Sequence, residues 1–163
     1  MEKRTIQKAR DRSFIRIGRS RIDGRGVFAK RKIPKGTRII EYRGKRRALA
    51  ELLASRTEAG PAPVLVIRLD EETVIDPTIR GNDARFINHS CEPNCEAYVF
   101  DRRLYIYAMS DIRRGEELNF DYQLRSAAGT VVEEPVIADY PCDCGSRNCR
   151  GTMLARPLRN KKL

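Results

Sequence analysis

Three cysteines fall within eight residues near the end of this chain, in Cys142-Asp-Cys144-Gly-Ser-Arg-Asn-Cys149. Three thiolates at that spacing can converge on one metal ion, and Asp143, Gly145 and Ser146 suit the tight loop this needs. Structural zinc takes four ligands, so a fourth has to come from elsewhere. The two remaining cysteines lie far upstream, in Arg85-Phe-Ile-Asn-His-Ser-Cys91-Glu-Pro-Asn-Cys95. Cys95 better fits a free cysteine buried as a small hydrophobe, so Cys91 is the preferred fourth ligand; Pro93 separates the two, and spacing alone does not choose between them. Either choice ties the C-terminal tail to a polar segment carrying Asn88 and the single histidine, His89. A tail fastened there would close a pocket. An odd count of five cysteines, two of them one residue apart, argues for a reducing compartment and against a disulfide framework.

Other groups are weaker signals on their own. Tyr122 ends Gly115-Glu-Glu-Leu-Asn-Phe-Asp-Tyr122 and could be a plain strand-end aromatic. A lone histidine is more often structural than catalytic. The setting of His89 beside a candidate ligand points to contact with a bound molecule and does not imply a general base. Gly24-Arg-Gly26-Val-Phe-Ala29 has the spacing of a dinucleotide-binding turn, but that turn must open a long helix. Pro34 and Gly36 follow too soon for one. What remains is a pair of glycines that let backbone approach a ligand closely.

The elements that would position these groups are mostly strands. Short runs rich in Val, Ile, Tyr and Phe at 14–17, 26–29, 38–42, 64–69, 73–76, 97–100, 104–108 and 117–120 are separated by turn residues. Ile33-Pro-Lys-Gly36 and Ile112-Arg-Arg-Gly115 predict tight turns before strands, and Asp101-Arg-Arg103 a hairpin loop. One segment, 45–59, reads as helix, with Leu49, Leu52 and Leu53 on one face and Gly60-Pro61 as its stop. The predicted organisation is a basic N-terminal segment over 1–12, one domain over 13–125, a flexible loop over 126–139 and a cysteine knuckle with a basic tail over 140–163.

Charge divides the 163 residues unevenly. The formal net charge is +11, yet residues 1–56 hold 19 Lys/Arg against 5 Asp/Glu and residues 57–149 hold 9 against 17. The acidic middle suits a cationic substrate, and residues 1–56 are a candidate contact for nucleic acid, which leaves as the alternative to an enzyme a non-catalytic, zinc-stabilised module that binds nucleic acid through this basic third. No apolar run approaches membrane length, and no apolar leader stands at the N-terminus.

Taken in order, four of these segments resemble the SET-domain protein-lysine methyltransferases. Arg85-Phe-Ile-Asn-His-Ser-Cys-Glu-Pro-Asn94 is similar to the family's Asn-His-Ser-Cys signature. Glu117-Leu-Asn-Phe-Asp-Tyr122 is similar to its second signature, Cys142-x-Cys144-x4-Cys149 to its post-SET zinc knuckle, and Gly24-Arg-Gly26 to its first cofactor turn. The resemblance spans roughly residues 13–154. It implies a mainly β fold of small curled sheets with a C-terminal pseudoknot, and S-adenosylmethionine as methyl donor to a lysine of a histone or other basic protein. By position it assigns Tyr122 as the catalytic tyrosine. Gly24, Arg25, Gly26, Arg85, Asn88, His89, Met153 and Leu154 fall to the donor pocket. Cys91 joins Cys142, Cys144 and Cys149 around zinc. Phe120 takes the position where phenylalanine leaves room for di- or trimethylation. Leu65 stands where many members carry a channel tyrosine, so one hydroxyl is missing there. The Arg43-Gly-Lys-Arg-Arg47 stretch is more basic than usual. A short chain and a preference for arginine over lysine lean toward a bacterial cytoplasmic enzyme; the eukaryotic reading is a chromatin enzyme.

Overall fold

A computed structural model describes residues 13–54, 66–124 and 140–155. Two turns that the sequence marks organise the core. Ile33 and Ile112 exchange backbone hydrogen bonds, each 2.9 Å, and both side chains are fully buried. Each is followed three residues later by a glycine with positive φ, Gly36 at 79° and Gly115 at 86°, a conformation other residues adopt at a cost. Burying one isoleucine of this kind contributes roughly 1.5–3 kcal/mol.

Around this pair runs one curled sheet. Strand β1 (Ile15–Arg19) forms a hairpin with β2 (Arg25–Ala29), turned by Gly24 at φ 33°. Strands β3 (Arg38–Tyr42), β8 (Cys95–Phe100), β9 (Arg103–Ala108) and β10 (Glu117–Phe120) complete the order β1-β2-β10-β8-β9-β3. The two-residue strand β7 (Asn88–His89) also pairs with β10. A second, three-stranded sheet has the order β4-β6-β5, from Lys45–Ala48, Thr73–Asp76 and Ile67–Arg68. Period-two burial is clearest in β9 and β10, where Leu104, Ile106, Ala108, Leu118 and Phe120 face the core.

Strand β10 sets the site. It lies antiparallel to β2, parallel to β7 through Asn119 opposite Asn88 and Phe120 opposite His89, and parallel to β8 at Phe120 opposite Cys95. The last strand is thus inserted among strands that precede it. Asn94 and Asn119 fix the insertion by mutual amide-to-backbone hydrogen bonds of 3.1 and 3.0 Å.

One predicted element shifts. The helix α1 spans Leu49–Ala54, and its expected first turn is strand β4 instead. Lys45–Ala48 pairs residue for residue with Thr73–Asp76, so a sheet ladder overrides the local helical preference. Residues 55–59 of the expected helix, 64–65 of the expected strand, the 1–12 segment, the 126–139 loop and the last eight residues lie outside the described residues. Among the described residues no helix is long and apolar enough to cross a membrane.

Candidate active site and metal centre

The cysteine ladder closes as a cluster of four. The Sγ atoms of Cys91, Cys142, Cys144 and Cys149 all lie within 4.8 Å of one another, and Cys91 and Cys142 are 3.7 Å apart. Four sulfurs at about 2.3 Å from a tetrahedral zinc would be separated by about 3.8 Å, so the spacing fits that ion. Cys95 is not a member. It opens β8, fully buried, and burial pushes its thiol up to about 12. Backbone N–H groups point at the clustered sulfurs: Cys91 at Cys144, Arg150 at Cys91 and Gly151 at Cys149, 3.3–3.5 Å away. Burial opposes ionisation of Cys144, but hydrogen bonds from Cys91 N–H and Ser146 lower it to about 6.

The cluster is fastened to the end of β10. Leu124 N–H donates to Met153 O and Ala155 N–H to Leu124 O, which brings Leu154 into a buried position beside Leu124. Arg150, directly after the last cysteine, grips the Asp121 carboxylate with two hydrogen bonds of 2.8 and 2.7 Å. Sequence reading missed Arg150; the basic residue following Cys149 was the available signal.

Tyr122 sits where strand and tail meet. Its hydroxyl donates to Ile87 O at 2.8 Å and its backbone N–H donates to His89 Nδ1 at 3.1 Å. Its ring packs against Phe120 at 4.9 Å and edge-on to His89 at 5.3 Å. Because Nδ1 of His89 accepts, the ring proton sits on Nε2, which faces Cys91 Sγ at 3.4 Å. Burial lowers the His89 pKa, only partly offset by Asp121, so the imidazole is neutral. His89 therefore braces Tyr122 against a cluster cysteine.

Burial pushes the Tyr122 phenol well above the usual tyrosine value, with Tyr42 and Asp23 adding to it. Tyr42, at the end of β3, is also buried and its phenol is raised by burial, partly countered by Arg85. Sequence reading treated Tyr42 only as a strand residue. Its partnership with Tyr122 is set by the packing of β3 against the rest of the sheet, which no local spacing reveals. Leu65 lies outside the described residues.

A second knot joins the Gly24–Gly26 turn to β7 and β10. The Asn88 amide Nδ2 is 3.3 Å from Asp23 O, 3.1 Å from Arg25 O and 2.9 Å from Glu117 Oε1. Gly26 is buried, and a Cβ there would run into the Glu117 carboxylate. Absence of a side chain thus lets Glu117 reach Asn88. Nearby, the guanidinium groups of Arg25 and Arg85 lie 4.0 and 4.6 Å from the Phe86 ring centre. The expected groups therefore converge: turn, Asn88, Arg85, Tyr122 and cysteine cluster form one continuous region.

Comparison with known proteins agrees in extent. A family model for the SET domain matches residues 24–123 and so ends before the cysteine triplet. An H3 lysine-4 specific histone-lysine N-methyltransferase of Chaetomium globosum is 40% identical over 144 residues, 84% of this chain and 13% of that protein. Histone-lysine N-methyltransferase trr of Drosophila melanogaster is 39% identical over 148 residues, 87% of this chain and 6% of that protein. Histone-lysine N-methyltransferase 2B of Homo sapiens is 37% identical over 149 residues, covering 88% and 5%. This chain spans a small fraction of the length of each relative.

Proposed function

The chain belongs to the SET-domain family, and from that premise we propose that it transfers a methyl group from S-adenosylmethionine to the side-chain amine of a lysine in a histone or other basic protein. A structural zinc ion would be held by Cys91, Cys142, Cys144 and Cys149. The observation that carries this reading is the placement of Tyr122: half-buried against the core, its phenol anchored on Ile87 O, its ring packed on Phe120 and His89, and its ionisation opposed by burial and by Tyr42.

The groups around the Gly24–Gly26 turn suit a donor that carries an ammonium, a carboxylate and a sulfonium. The Asp23 and Arg25 carbonyls and Glu117 offer acceptors, Arg25 and Arg85 offer cations, and Phe86, Met153 and Leu154 offer apolar cover. With Asn88 and His89 as positioning residues, these would hold the donor. When bound, it supplies an electrophilic methyl group.

The chain's own contribution is to the amine. A free lysine has a pKa near 10.4, so its neutral form costs about 4.6 kcal/mol at pH 7. Buried surroundings disfavour the ammonium, and so does any cation nearby. No imidazole base is then needed, in keeping with a neutral, fully engaged His89. The Tyr122 and Tyr42 hydroxyls would orient the nitrogen, and alignment of this kind is worth on the order of 7–11 kcal/mol. Phe120 at the channel leaves room for an amine already carrying methyl groups, so di- and trimethylation are expected. The relatives are fungal and animal proteins and lend no support to a bacterial cytoplasm; chromatin is the location this reading favours.

Incubation with radiolabelled donor and purified histones or other basic proteins tests it. Label on lysine is the expected result. Absence of label on every protein, together with absence of donor binding by calorimetry, overturns it.

A further inference from the structure

The hairpin of β8 and β9 leaves an unusual surface. Every residue from Glu96 to Phe100 is exposed, and Tyr98 and Phe100 expose 60% and 62% of their surface. Register places Tyr98 opposite Tyr105 and Phe100 opposite Arg103. Leu104, Ile106 and Ala108 fill the core, so Arg103, Tyr105 and Tyr107 share the opposite face with Tyr98 and Phe100. Strand β3 adds Arg38, whose guanidinium lies 4.8 Å over the Tyr105 ring. Past Cys95, β8 has no partner on its second edge among the described residues.

Cations border this aromatic face. A cavity of about 200 Å³ adjoins its Arg103 end, lined by Arg43, Arg46, Arg80, Arg103 and Glu41 among others. The Glu41 carboxylate is already engaged by Arg43 at 2.9 Å. Glu96 and Asp101 are the acids of the hairpin itself, against this larger number of guanidinium groups.

Exposed rings on a sheet face, flanked by guanidinium groups, have a specific chemical complement. Bases stack on aromatic rings whatever their identity, and phosphates pair with arginine. Rings two residues apart on a strand are roughly 6.8 Å apart, about twice the rise per nucleotide of a stacked strand. Splayed, single-stranded bases fit that spacing. A duplex hides its base faces and would engage only the arginines.

We propose that the outer face of β3, β9 and β8 binds single-stranded nucleic acid, stacking bases on Tyr98 and Phe100 and taking phosphates on Arg38, Arg103, Arg46 and Arg80. The basic first third of the chain thereby acts through Arg38 and Arg46, completed by aromatic residues some sixty positions later in sequence. The inference is independent of methyl transfer.

Fluorescence anisotropy of a labelled oligodeoxythymidine, titrated with the full chain at low and then rising salt, tests it. Binding that weakens with salt is expected. Tyr98→Ala and Phe100→Ala should each weaken it roughly 5- to 150-fold, the range for loss of one stacked base. Both side chains are exposed, so unchanged thermal melting and unchanged methylation of a free substrate are expected alongside. Unlabelled duplex of equal length should compete poorly, and Arg103→Ala should flatten the salt dependence. No binding at low salt, wild-type affinity in both aromatic variants, or equal competition by duplex overturns the proposal. Self-association that Tyr98→Ala abolishes also overturns it, and assigns the face to a second copy of the chain.

Discussion

Tyr122 and Tyr42 carry opposite lessons. Tyr122 was legible because it closes a recognisable run of residues; Tyr42 was not, because burial and a through-space neighbour give it its character. Tyr122→Phe removes a hydroxyl bonded to Ile87 O and strands a buried carbonyl, at a cost of about 1–3 kcal/mol. Methyl transfer in that variant is expected to fall at least tenfold in a single-turnover assay, with donor affinity by calorimetry nearly unchanged. Full-rate transfer would remove Tyr122 from its assigned role. The two raised phenols also set an alkaline limit. An ordinary tyrosine ionises near pH 10, so above that pH the unfolded chain releases protons that the folded chain retains. Stability is therefore unaffected by these groups below about pH 10 and declines as pH rises beyond it. Absorbance of tyrosinate during alkaline titration should show two residues that ionise only together with unfolding; two that titrate normally in the folded chain contradict the burial argument.

Elements position these residues through contacts a linear reading resolves only in part. The strand runs, both glycine turns and the hairpin were visible in alternation and turn chemistry. The first turn of the expected helix was not, because Lys45–Ala48 answers to Thr73–Asp76 across a ladder. The glycine of β2 shows how tightly elements interlock: Gly26→Ala forces the Glu117 carboxylate away and breaks its hydrogen bond to Asn88. Overpacking of this kind costs about 1–3 kcal/mol. A lowered melting temperature with weakened donor binding is expected, measured by scanning calorimetry and isothermal titration. A neutral result would separate the Asn88 knot from the donor site. At the junction of β10 with the tail, Arg150→Lys keeps the charge but loses the two-pronged grip on Asp121. Donor binding should weaken severalfold while zinc content stays constant.

At the scale of the molecule, the cysteine cluster joins two parts of the chain separated by some fifty residues. Its triplet was legible from spacing, whereas Cys91 was preferred because Cys95 better suits a buried small hydrophobe, a choice the resemblance supported; the packing of β8 buries Cys95 while Cys91 joins the cluster. Metal analysis of variants separates them. Cys91→Ala should lose zinc and donor affinity together, and Cys95→Ala should keep both at some cost in stability. Retention of full metal content in the Cys91 variant rules out the fourfold site. Chelation of the wild-type chain should abolish donor binding, with the curled sheet still giving its circular dichroism signal.

Leu124 and Tyr140, sixteen positions apart in sequence, both meet on Met153, whose carbonyl accepts from Leu124 N–H and whose N–H donates to Tyr140 O. Where two points of a chain are held this close, added length between them is cheap, since each doubling costs only about 0.6 kcal/mol. The interval between them is thus a natural insertion point, where a tether, a reporter or a recruiting module can be grafted while the Met153 contacts hold.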